Sequence, residues 1–113
     1  MKIHNIDQSQ FQNIDSIRRI IVHNHPRRFA TINLHNLGKF GISWRSDLIE
    51  PMVVFSLDKS AVWIGVDQQL VAIDLKEGRI SVSLCLSSNV VQILALSSMT
   101  ILLTELEVFV FNL

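Results

Sequence analysis

One cysteine, Cys85, stands in a chain of 113 residues, so neither an internal disulfide nor a cysteine zinc cage can form. Charge is scarce too: charged residues make up 18% of the chain and apolar ones 49%. That balance favours a buried core over disorder. No signal-peptide core follows Met1, because "KIHNIDQSQFQN" is too polar. The longest apolar run, "VVQILALSSMTILL", is broken by Gln92, Ser97, Ser98 and Thr100, and falls short of the roughly 18–20 residues that span a bilayer. These absences lead to the expectation of a cytoplasmic, single-domain protein with no membrane segment and no cofactor.

What charge there is divides along the chain. From Met1 to Arg45, seven basic residues face two acids, and from Ser46 to Leu113 three basic residues face eight acids, giving +5 and −5. Such a dipolar chain can bind an anion with one end or a second copy end to end, and its halves can equally face each other within the fold.

Residues 7–22 place Phe11, Ile14, Ile17 and Ile21 on one face of a helix, with Asp7 or Ser9 available as a cap. The last part, "RRIIVHN", is equally good strand material, and "NHP" stops any helix before Pro26. From Phe29 the pattern is β. A first β segment covers 29–45, with Gly38 and Gly41 bracketing a turn; "SDLIEP" reads as a loop ahead of the next strand. Then come "MVVFSL", "AVWIGV", "LVAIDL", "RISVSLCL", "VVQILAL", "TILLT" and "EVFVFNL", joined by short polar connectors that suit antiparallel neighbours. Apolar residues on both sides of "AVWIGV" predict a strand covered on two faces, with Gly65 leaving room for a close neighbour. In "RISVSLCL", Ile80, Val82, Leu84 and Leu86 face one way. In "LKEGRI", Gly78 fits the left-handed position of a three-residue hairpin loop. The expected fold is mainly β: an antiparallel meander, two-layered or like an incomplete propeller, preceded by one short N-terminal helix.

The stretch 56–75 repeats loosely in 95–113. With one residue dropped at the turn, Val62 lies over Ile101, Ile64 over Leu103, Leu70 over Val108 and Ile73 over Phe111. The period, about 38–39 residues, is close to the roughly 40–45 of propeller blades. The first copy, "AVWIGVDQQLVAIDLKEGRI", resembles the blade hairpin of pyrroloquinoline-quinone-type β-propellers, matching at Gly65, Leu70, Ala72, Ile73, Asp74 and Gly78. The likeness is good over 61–80 and loose over 56–113. It departs at Val82, where those blades carry a docking tryptophan; Trp63 sits on another strand. The resemblance therefore implies hairpin geometry and carries nothing of the quinone cofactor. Two units cannot close a ring that needs at least about four blades. An apolar terminal strand with an open side would be an aggregation hazard, so the expectation is that another strand, a second subunit or further chain covers it.

Three functional readings follow. The leading one is a non-enzymatic, self-associating protein-interaction module. Its apolar edge at Val108, Phe109, Val110 and Phe111 pairs with a partner, while the basic segment meets an acidic one. The second is anion or nucleic-acid binding through Arg18, Arg19, Arg27, Arg28, Lys39 and Arg45, with Phe40 and Trp44 as stacking faces. Nucleic acid ranks below a protein partner: the strand order does not suit an RNA-recognition fold, and Phe40 and Trp44 can equally be ordinary core residues. The third is a hydrolase-like site in an inter-subunit cleft. It would need an acid pair, or His23 and His25, whose "HNH" spacing also suits a metal if the segment is extended. No nucleophile motif of the G-x-S-x-G kind is present, and Cys85 has no histidine close in sequence.

Overall fold

The computed structural model describes residues 3–112. Contacts divide the chain into two compact units, Met1–Leu48 and Ile49–Leu113, joined within the "SDLIEP" segment. The fold is mainly β with a short helix, and no described sheet closes into a barrel. No helix among the described residues is long and apolar enough to cross a membrane.

Unit 1 holds strands β1 (Ile3–Ile6), β2 (Arg19–Ile21), β3 (Arg28–Asn33) and β4 (Lys39–Trp44) in the order β1-β3-β4-β2. The pairs β1–β3 and β3–β4 are antiparallel, and β2 runs parallel to β4. The helix expected over 7–22 is shorter: α1 spans Gln8–Gln12. Asp7 starts it with a capping box, accepting from Gln10 N at 2.7 Å while Gln10 returns its side chain to Asp7 N at 2.9 Å. Asn13 ends it, and Asp15 caps a separate 3-10 turn, Ser16–Arg18, by accepting from Ile17 N. Local side-chain caps thus interrupt the helical face, and the β-branched run that follows takes the strand alternative. Ile17, placed on that face by its spacing, is 78% exposed, whereas Ile21 is buried in β2.

Two turn assignments also change. The β3–β4 link is a 3-10 turn, His35–Leu37, closed by Gly38 at φ 85. Gly41 lies inside β4, where an added Cβ would stand 2.8 Å from Ile14 Cδ1 and 3.1 Å from Phe11 Cε1. It is the floor on which α1 rests.

Unit 2 is a continuous meander: β5 (Met52–Phe55), β6 (Ala61–Val66), β7 (Gln69–Asp74) and β8 (Arg79–Cys85) form one sheet. The strands β9 (Val90–Ala95), β10 (Met99–Thr104) and β11 (Val108–Asn112) form a second. All pairs are antiparallel. Seven apolar runs in the sequence become these seven strands. A core cluster of the unit lies between the sheets, where Trp63, Leu70 and Ala72 meet Val90, Ile93 and Leu102. The Trp63 and Phe111 rings stand 4.9 Å apart. Gly65 is there for clearance, since a Cβ would come within 3.1 Å of Val90 and 3.2 Å of Ile93. As expected, β6 is buried on both faces, with Val62 and Ile64 at 0% and Trp63 at 3% exposure.

Gly78 has φ 71 as its position requires, but the hairpin loop it closes has four residues, since Asp74 pairs with Arg79. A bulge follows: Ala72 opposes Val82 and Ile73 opposes Ile80. The extra residue turns Ile80 away from the face of Val82 and Leu84, and it is exposed. The connector 86–90 is held by both neighbouring hairpin turns. Leu86 N donates to Gln68 O and Val90 N to Asp67 O, both at 2.7 Å. From the other turn, Glu105 N donates to Asn89 O at 3.0 Å, and Ser88 Oγ donates to Thr104 Oγ1 at 2.7 Å.

The β5–β6 turn carries an acid-sensitive element. Asp58 accepts from Ser60 Oγ at 2.7 Å, Ser60 N at 3.0 Å and Ser56 Oγ at 2.8 Å. These bonds, those from Ser60 first, hold its carboxyl below the ordinary aspartate value. A depressed folded-state pKa contributes stability above the unfolded value and loses it as pH falls through the folded one. The carboxyl carbon of Asp58 is therefore expected to titrate below an ordinary aspartate by carbon NMR. Asp58→Asn should flatten the dependence of stability on pH in that acid range, and an ordinary or raised midpoint would refute the assignment.

Candidate functional site

The six basic candidates all belong to unit 1, and the structure gives most of them partners inside it. Arg18 Nη1 donates to Leu37 O at 2.7 Å and Lys39 O at 3.2 Å, and its guanidinium lies 4.8 Å from the Phe40 ring centre. It closes the β3–β4 turn. Arg19 is half-buried, 5.9 Å from the ring centre of Phe11. Arg27 pairs with Asp47 at 2.9 Å. Arg28 lies 4.7 Å from the Trp44 ring centre and reaches Asp47 O at 3.4 Å. Lys39 and Arg45 are exposed at the two ends of β4. The aromatic faces proposed for bases are thus occupied by the chain's own guanidinium groups.

The two histidines are not brought together as a metal pair. His23 is 5% exposed; its N–H donates to Ser43 Oγ at 3.1 Å and its ring Nδ1 lies 2.6 Å from Ser43 O. A carbonyl only accepts, so Nδ1 carries the proton. His25 is exposed, with the left-handed φ of 51. That reversal breaks the extended geometry which the shared face required. Among the described residues no group of three or more His, Cys, Asp or Glu side chains could hold a metal ion. A cleft of about 370 Å³ opens in unit 1, lined by Asn5, Ile6, Asp7, Gln8, Arg27, Arg28 and Phe29. Its carboxylate, Asp7, is the cap of α1, and neither an acid pair nor a histidine lines it.

The apolar edge is a different matter. β11 is an outer strand: β10 pairs with one side, and no strand among the described residues pairs with the other. Phe109 and Phe111 pack into the core, while Val108 and Val110 point out, 65% and 54% exposed. The strand register extends this outward face across the sheet: Val110 opposes Ile101 and Ile101 opposes Leu94, while Val108 opposes Leu103 and Leu103 opposes Gln92. No charged side chain interrupts it.

The same positions can be read in the other sheet. The turns 67–68 and 105–106 each have two residues, since Val66 pairs with Gln69 and Thr104 N donates to Glu107 O. The length difference falls earlier, between the four-residue turn 57–60 and the two-residue turn 97–98. Counted from these turns, Trp63 rather than Val62 corresponds to Ile101, Gly65 to Leu103, Leu70 to Val108 and Ile73 to Phe111. The outward residues Leu94, Ile101, Leu103, Val108 and Val110 occupy the places of Val54, Trp63, Gly65, Leu70 and Ala72. In the first sheet those places face the second sheet. In the second they face outward. No family model, curated protein or solved structure matches this chain.

Proposed function

We propose that this chain is a non-enzymatic protein-interaction module that self-associates through the β11 margin of unit 2. One observation carries the reading: an uncharged apolar strand offers an unpaired edge and an exposed valine face. The likeness of the two sheets supports a propeller-like repeat in which β11 takes the place of β7. In the first sheet β8 pairs with the outer edge of β7; a strand from another copy supplies the same pairing to β11.

Sedimentation velocity between about 1 and 100 µM tests this, because edge pairing of modest strength titrates over that range. The unaltered protein is expected to shift from monomer to larger species. Val110→Lys puts a charge on the margin without touching the core and is expected to weaken association at least about tenfold. A wild-type chain that stays monomeric and soluble throughout would end the proposal.

A further inference from the structure

We infer that β11 pairs with β11 of a second copy, antiparallel, about a two-fold axis at Val110; this rests on the self-association proposed above. Hydrogen-bond parity sets the register. Thr104 N donates to Glu107 O at 2.9 Å, so bonded pairs alternate from there through Leu102–Phe109 and Thr100–Phe111. On the other side of β10, Leu96 N donates to Met99 O at 2.8 Å, which places Leu94–Ile101 among the bonded pairs of β9 and β10. The N–H and C=O groups of Val108, Val110 and Asn112 therefore point to the free edge. Only one antiparallel register uses all three residues from both copies: Val110 opposite Val110, and Val108 opposite Asn112. Sliding by two residues leaves one residue of each copy unpaired.

The side chains agree with this occupant. The register sets Phe109 of one copy opposite Phe111 of the other on the inner face, an aromatic cross-strand pair. Val108–Asn112 carries no charge, so the two-fold opposes no like charges, and Glu105 and Glu107 fall at opposite ends of the new pair of strands. Other margins in unit 2 carry devices that discourage such pairing. β8 begins with Arg79 and contains a bulge, β9 is bulged next to Val90, and β5 is short and follows Pro51. β11 pairs with β10 without a register shift and has no proline or charge.

The test uses full chains carrying Cys85→Ser and one new cysteine, treated with a short bismaleimide. Val110→Cys should give a covalent dimer, and Glu107→Cys should not, because the two-fold holds those positions about 20 Å apart. Association should also persist at about 0.5 M salt, where charge attraction is largely screened. If the unaltered chain associates but Val110→Cys does not couple, or Glu107→Cys couples as well, the two-fold register is wrong while self-association stands. Association that vanishes in salt would identify end-to-end docking of the basic and acidic units instead. A chain that never associates removes both statements together.

Discussion

Trp63→Ala is expected to destabilise unit 2 by roughly 3–5 kcal/mol, the range for emptying a buried aromatic site. The indole fills the space between the two sheets, against Phe111 and the cluster of Leu70, Ile93 and Leu102. Against a typical total of about 5–15 kcal/mol for a domain, that loss leaves the unit marginal. Trp63→Phe should cost far less. Trp63 Nε1 is buried without a hydrogen-bond partner, so phenylalanine keeps a ring on Phe111 and removes an unsatisfied donor. Urea unfolding followed by circular dichroism checks both variants. Equal losses would mean that ring packing is not what holds the sheets together, and a loss under about 1 kcal/mol for alanine would contradict the core assignment.

Arg18→Ala is expected to destabilise unit 1 by roughly 2–3 kcal/mol, from two charge-assisted bonds to backbone carbonyls and a cation–π contact with Phe40. Arg18→Lys should recover little, because one ammonium on a flexible stem cannot bridge Leu37 O and Lys39 O while sitting over the Phe40 ring. The contrast separates the structural role from an anion-binding one. A binding arginine would leave the unfolding midpoint unchanged when replaced and would weaken retention on a phosphate-bearing column.

Strands in unit 2 were legible because each apolar run is bounded by turn residues, and such runs admit few alternatives. Periodicity overextends the helix because it counts apolar positions and ignores competing caps: Asn13 and Asp15 end α1 and start a new turn within the face that Phe11, Ile14 and Ile17 define. β1 carries no clear strand signal, since "IHNI" is short and half polar and takes its place only by pairing with β3. The basic residues looked like a binding set because sequence shows charge and not destination. Phe40 and Trp44 lie where Arg18 and Arg28 can cover them, and that adjacency exists only once β3, β4 and the 3-10 turn have formed. The β11 margin could be read directly, because "VFVFN" has neither a charge nor a turn residue until its last position.

The link between β8 and β9 behaves as a strap more than a tether. Its amides and carbonyl are bonded to turns belonging to different sheets, so peeling either sheet away strips bonds from the other. The two sheets of unit 2 are therefore expected to melt together in a single cooperative step, and a protease searching for a slack loop between two layers meets a segment already fastened at both ends.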